Sequence, residues 1–262
     1  MEEVDIVTVG HVDSGKSTIL GHFMKQCGGI DERQMATLEK DAAGLGKSSF
    51  KYAFLLDTTK HERERGVTCN LNRIQCVGSK YLYNIIDTPG HVDFIKNALN
   101  GFSQADAAIV VVSASLGEYE VSHGGKDWPL RDRIFALFGL GVRRFLCVIN
   151  KMDCKTVKYS KQRYDEIKEN MSMHFKKAKV KAENVLFIPV SGFVGENLTT
   201  HSANMPWYKG DTLMDALQDF YPRKRLIRMP LRLVVHMVFK APGLGTMVAG
   251  RVEMGELKEG EV

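Results

Sequence analysis

The run "GHVDSGKST" at residues 10–18 constrains this chain more than any other stretch. It fits the spacing G-x-x-x-x-G-K-[ST] at Gly10, Gly15, Lys16 and Ser17. The apolar, β-rich "VDIVTV" (4–9) precedes it, and a segment of helical spacing (16–27) follows and closes on Gly28-Gly29. A strand that turns through glycines into a helix lines up backbone N–H groups around an anion, and the helix N-terminus favours negative charge there. The expected ligand is a nucleoside triphosphate. Val12, Asp13, Ser14, Gly15 and Thr18 would surround its phosphates, Lys16 would reach the outer ones, and the Ser17 hydroxyl would ligate Mg²⁺.

The fold follows from what repeats downstream. Short apolar runs recur at 81–87, 107–113, 144–150 and 185–190, several without polar alternation, which is the pattern of strands covered on both faces. Helical spacing fills 93–101, 128–140, 160–178 and 211–220. This alternation predicts an α/β, doubly wound, mostly parallel sheet, with ligands bound at loops leaving the carboxyl ends of strands. Residues 31–66 break the rhythm as a long, charged insertion, and loops of that length in compact domains are usually functional. After "FYPRKRLIRMPLRL" the pattern changes to short strands with Gly243, Gly245, Gly250, Gly255 and Gly260, all read as tight turns of a β-hairpin unit. The expected division is a nucleotide-binding domain over 1–222, a linker over 223–228 and the first strands of a β-barrel over 229–262, too short to close a barrel.

Two further motifs specify the ligand. "NKMD" (150–153) ends a strand. The Asp153 carboxylate can accept two hydrogen bonds from the N–H edge of guanine, which adenine does not offer. Asn150 can bridge base and phosphate loop, the Lys151 stem can cover a ring face, and "SGF" (Ser191, Gly192, Phe193) can add a backbone N–H to the guanine oxygen. "DTPGHVDF" (87–94) also leaves a strand. Asp87 can hold Mg²⁺ through water and the Gly90 amide can bond a γ-phosphate. Thr68, at the end of "HERERGVT" (61–68), can give the metal a second hydroxyl or can simply open a strand; the "HERER" charges read as a solvated helix end. A metal-bound Thr68 would let the insertion order with GTP and loosen after hydrolysis.

Composition excludes some classes. No apolar run approaches the ~20 residues of a membrane span, and the start "MEEVDIVTVG" does not read as a secretory leader. The five cysteines contain no C-x-x-C pair, which favours reduced thiols in a cytoplasmic protein over disulfides or zinc. The net charge of +5 is uneven, with nine Lys/Arg against three Asp/Glu between Lys155 and Lys181. That patch reads as a solvated face or as a contact for RNA phosphates.

Taken in order, these motifs resemble the translational GTPases, and most closely the archaeal and eukaryotic elongation factor 1-alpha family. "KQCGGID" (25–31), "GKSSFKYAFLLD" (46–57), "ERERGVT" (62–68), "DFIKN" (93–97), "SQADAA" (103–108), "YSKQRYDEI" (159–167) and "SANMPWYKGDTLMDAL" (202–217) carry the likeness. The resemblance implies a P-loop GTPase domain using GTP/GDP and Mg²⁺, delivery of aminoacyl-tRNA to the ribosome, and reactivation by a guanine-nucleotide exchange factor. It also implies that His91 positions the attacking water, and that Val12 and Val67 form an apolar gate in front of it. The alternatives are a release or ribosome-rescue GTPase of the same superfamily, or a non-catalytic GTP-binding paralogue. Thr88 and Val92 stand where the family usually has alanine and arginine, so that "DTPGHVDF" is more similar to elongation factor G, and "DWPLRDRIFALFGLG" (127–141) replaces the family's glutamine-threonine-arginine-glutamate-histidine segment.

Overall fold

The computed structural model describes residues 1–57, 59–124, 129–222, 224 and 226–260. Asp127 and Trp128 of the divergent segment, Arg223 and Arg225 of the expected linker, and 261–262 lie outside the described residues. The chain divides into two compact units, Met1–Tyr221 and Pro222–Val262.

The first unit is built on a six-stranded sheet in the order β2-β3-β1-β4-β5-β6. Its strands are β1 (Glu2–Gly10), β2 (Asn72–Val77), β3 (Tyr81–Asp87), β4 (Ala107–Ser113), β5 (Arg144–Asn150) and β6 (Val185–Pro189). All neighbours run parallel except β2, which is antiparallel to β3. The doubly wound, mostly parallel expectation matches this sheet. The edge strand β2 escapes that reading because it is short and polar, although Ile74 and Cys76 alternate inward along it.

Helices cover both faces, and β4 shows why its run is apolar throughout. Ala108, Val110 and Val112 pack on one side with Phe102, Ile134, Leu137, Ile167 and Phe175. Those partners come from α4 (Ile95–Ser103), α6 (Leu130–Gly139) and α7 (Lys161–Lys177). Ala107, Ile109 and Val111 face the other way, toward Ile19, Leu20 and Phe23 of α1 (Lys16–Gln26) and Leu213 and Leu217 of α8 (Leu213–Gln218). Each fully buried Val, Leu, Ile or Phe among them contributes about 1.5–3 kcal/mol. A further short helix, α5 (Glu118–Gly124), lies between β4 and α6. Among the described residues no helix is long and apolar enough to cross a membrane.

The 31–66 insertion folds as α2 (Glu32–Gly44), two 3₁₀ turns and α3 (Lys60–Arg65). Met35, Leu38, Ala42, Tyr52 and Phe54 give it a small core of its own. It docks on α1, where the His22 and Tyr52 rings stack at 4.1 Å. One expectation about it is corrected. Glu62 of "HERER" is buried, because its carboxylate closes a capping box with Thr59 and accepts the Cys69 and Asn70 amides at 2.9 and 3.1 Å. Burial pushes that carboxyl up, but these donors outweigh it and hold it below the usual range.

The second unit is an antiparallel pair, β7 (Arg232–Ala241) and β8 (Gly245–Met254). Gly243 and Gly245 occupy the left-handed region at its turn, with φ 81° and 86°. Gly250 is not a turn residue: it lies inside β8, where a Cβ would come within 2.3 Å of the Val234 carbonyl oxygen.

The docking of the insertion rests on Gly21, where a Cβ would fall 2.1 Å from the Tyr52 carbonyl oxygen. Alanine at a free helical position would gain about 1 kcal/mol. Gly21→Ala is instead expected to destabilise the chain by about 1–3 kcal/mol and to speed proteolysis within 31–66. Stabilisation with unchanged proteolysis would contradict this packing.

Candidate nucleotide site

The site lies where β1, β3 and β5 end, at the carboxyl edge of the sheet. Residues 11–15 carry the chain from β1 into α1, with Asp13 at φ 61° and Gly15 at φ 88°. Gly15 also lies so near Asn150 that a Cβ would be 2.3 Å from its Nδ2. Among the described residues no side chain caps the start of α1, the arrangement in which a helix N-terminus can receive an anion. Lys16 curls back over this loop, its Nζ donating to the Gly10 and His11 carbonyls at 3.1 and 2.9 Å. Burial pushes the Lys16 amine down to about 8, although the Asp87 carboxylate pulls the other way.

Next to the lysine, oxygen atoms crowd together. Ser17 Oγ donates to Asp87 Oδ2 at 2.6 Å and lies 3.2 Å from Thr68 Oγ1. Thr68 in turn donates to Asp57 Oδ1 at 3.2 Å, and Thr8 Oγ1 donates to Asp87 Oδ1 at 2.9 Å. Burial raises the Asp87 carboxyl, and burial together with the Asp87 charge pushes Asp57 up to about 6. Two carboxylates and two hydroxyls form a hard-oxygen set of the kind Mg²⁺ prefers. Among the described residues no group of three or more His, Cys, Asp or Glu is arranged to hold a metal. Thr68 precedes β2 by several residues, so it does not open a strand.

At the other end of the cavity, Asn150 ends β5 and joins two loops. Its Nδ2 donates to the Ser14 carbonyl at 2.8 Å and its Oδ1 accepts the Gly192 amide at 2.9 Å. Ser191 Oγ donates to Asp153 Oδ1 at 2.6 Å, which fixes that carboxylate. Lys151 sits in the left-handed region at φ 64°, and its Nζ lies 2.7 Å from Glu118 Oε2. Burial pulls the Glu118 carboxyl up, but Lys151 and the Ser113 hydroxyl hold it below its ordinary range.

These groups enclose a cavity of about 490 Å³. Of the expected site residues, Val12, Asp13, Gly15, Lys16, Ser17, Thr18, Val67, Thr68, Gly90, Asn150, Lys151, Asp153 and Phe193 line it. Ser14, Asp87, Ser191 and Gly192 stand behind its wall, buried and holding the lining residues. His91 is not among the lining residues. Its Nδ1 accepts the Asp93 amide at 3.2 Å, capping the 3₁₀ turn Val92–Phe94, and its side chain is 43% exposed. Thr88 is buried, its hydroxyl pinned to the Thr8 carbonyl, whereas Val92 is exposed. Sequence reasoning missed several side chains, among them three charged ones. Asp57 and Glu118 line the cavity, and Arg133, fully buried on α6, donates to the Gly10 and Gly90 carbonyls.

A phosphate loop after β1, a parallel sheet and a polar turn after β5 define the class of P-loop nucleotide-binding α/β domains. Residues 1–223 match the Elongation factor Tu GTP binding domain. The chain belongs to that family. It is 47% identical over 259 residues to elongation factor 1-alpha of Entamoeba histolytica, covering 99% of this chain and 58% of that protein. It is also 47% identical over 257 residues to elongation factor 1-alpha of Tetrahymena pyriformis, covering 98% of this chain and 59% of that one. The chain thus spans less than two thirds of the length of these relatives. Among solved structures, the GTP-bound Ski7 GTPase-like domain of S. cerevisiae aligns with a TM-score of 0.78 at 22% identity, over 97% of this chain and 59% of that one. Sup35 complexed with GDP aligns at 0.62 and 26% identity, over 99% of this chain and 54% of that one.

The Glu118–Lys151 pair holds the lysine stem at the Asp153 end of the cavity, the end expected from the sequence to take the base. Glu118→Gln is expected to weaken GTP and GDP binding equally, by about threefold, measured with fluorescent nucleotide analogues. Unchanged affinities, or a loss confined to GTP, would contradict a role at the base.

Proposed function

We propose that the chain binds GTP with Mg²⁺, hydrolyses it, and serves as the nucleotide-binding part of an elongation factor that delivers aminoacyl-tRNA to the ribosome in the cytoplasm. The observation that carries the nucleotide reading is Asn150, whose one side chain ties the phosphate loop to the loop after β6. Guanine fits between the Lys151 stem and Phe193, with Asp153 accepting its two N–H groups and the Gly192 region beside its oxygen. Val12, Asp13, Ser14, Gly15, Lys16 and Thr18 surround the phosphates. The elongation reading draws on the 47% identity to elongation factor 1-alpha over nearly the whole chain.

Ser17 and Thr68 would hold Mg²⁺ directly, with Asp87 reaching it through water. The bound metal would neutralise charge developing on the β- and γ-phosphate oxygens. Hydrolysis by such a site is chiefly positioning, so a group that moves into place can set the rate without altering nucleotide affinity. His91 is suited to that task. Its ring is parked on the Asp93 amide, a hydrogen bond worth only about 0.5–1.5 kcal/mol net. A ribosomal contact can displace it, and it then passes Val12 and Val67 to order the attacking water. A guanine-nucleotide exchange factor would restore GTP. Neither the ribosome nor tRNA needs a membrane.

His91→Ala is expected to lower ribosome-stimulated GTP turnover by at least about 10²-fold while leaving GDP affinity unchanged. Turnover equal to that of the unaltered protein would exclude His91 from the chemistry.

A further inference from the structure

Arg133 is among the largest fully buried side chains of the protein, at 1% exposure. It occupies the inward stripe of α6 with Leu130, Ile134 and Leu137, where an apolar residue is the rule. Its helix lies in the segment where the sequence leaves the elongation factor 1-alpha pattern. A buried guanidinium is expensive unless its donors are used. Two of them go to carbonyls far apart in sequence: Nη1 donates to Gly10 and Nη2 donates to Gly90, the latter at 2.6 Å.

Those carbonyls belong to the two segments expected to touch the outer phosphates. Gly10 ends β1 and opens the phosphate loop, and its oxygen also accepts from Lys16 Nζ. Gly90 ends the D-T-P-G turn. A Cβ on Gly90 would lie 2.8 Å from Lys16 Nζ, 2.8 Å from the Val12 amide and 3.0 Å from the Gly10 oxygen. The turn therefore rests directly on the phosphate loop, and the planar fork of one arginine spans both.

We propose that Arg133 is a positioning residue for the triphosphate state: by holding the Gly90 and Gly10 carbonyls in one fork it keeps the D-T-P-G turn where a γ-phosphate meets it, and so favours GTP over GDP. This rests on the guanine-nucleotide reading above. With the strap in place, the γ-phosphate meets a turn that is already ordered. Without it, GTP must pay the ordering cost on binding, whereas GDP, which lacks the γ-phosphate, is indifferent to it. The expected signature is a change in the ratio of the two affinities.

The test measures affinities of the full chain for a non-hydrolysable GTP analogue and for GDP, with Arg133→Met and Arg133→Lys beside the unaltered protein. Arg133→Met is expected to lose about 10-fold for the GTP analogue and less than about threefold for GDP. Arg133→Lys keeps the charge but cannot span both carbonyls, so it should still lose affinity for the GTP analogue alone. Full recovery of both affinities by lysine would overturn the strap in favour of a simple charge effect. Equal losses for both nucleotides in the two variants would overturn it in favour of general structural support. Should Arg133→Met fail to fold, Arg133→Lys alone decides by the same ratio. An unaltered chain that binds neither nucleotide would instead overturn the guanine-nucleotide reading, and this proposal with it.

Discussion

The amide of Asn150 is the contact on which the site depends. It is buried, it ends a central strand, and it satisfies one carbonyl of the phosphate loop and one amide of the loop after β6. Among the described residues neither atom has a backbone partner, and an unmet buried polar group costs about 1–3 kcal/mol. The two ends of a 490 Å³ cavity are thereby held at a fixed spacing by a single side chain. Gly15 permits this approach, because a Cβ would occupy the space of the Asn150 amide. The sheet supplies rigidity: β5 is buried along nearly its whole length and parallel to both neighbours, so Asn150 has little freedom to move.

The opposite end of the cavity is organised by crowded oxygens. Ser17, Thr68, Asp57 and Asp87 lie within a chain of hydrogen bonds, and burial raises both carboxyls. Such a set is costly when nothing positive sits among it and favourable around a cation; Lys16 offsets the Asp87 charge and Arg63 that of Asp57 only in part. Asp57 lies within the 31–66 insertion and Thr68 just beyond its end, so events at this cluster bear on how the insertion is held. Arg133 and Thr88 hold the segment that leaves β3. They pin the D-T-P-G turn to the phosphate loop and to β1, while His91 immediately after it projects outward.

Much of this was legible before the structure. The fully buried strands announced themselves as uninterrupted apolar runs, because a parallel sheet covered on both faces allows little else. The loop between β1 and α1 and the "NKMD" turn at the end of β5 were readable in place, because fixed spacings mark them. The less visible parts were those whose role depends on long-range packing. β2 alternates only twice and carries Asn, Arg and Gln, so it resembles a loop. Asp57 follows an ordinary apolar stretch, and Glu118 heads a short helix with no motif around it. Glu62 reads as one more charge in "HERER", because the three residues that donate to its carboxylate, Thr59, Cys69 and Asn70, meet it only in the folded chain. Arg133 did leave a trace, as a charged residue at a position where the helical stripe of Leu130, Ile134 and Leu137 demands an apolar one.

The central claim is that this cavity reads guanine through the Asp153 carboxylate, fixed by Ser191. It is tested most directly by measuring GDP and xanthosine diphosphate affinities for the unaltered chain and for Asp153→Asn. Two N–H groups on guanine match a carboxylate, whereas xanthine presents an oxygen in place of one of them and matches the amide. The unaltered chain should prefer GDP, and Asp153→Asn should shift preference toward the xanthine nucleotide with its melting transition unchanged. An unchanged preference for GDP in Asp153→Asn would contradict the account.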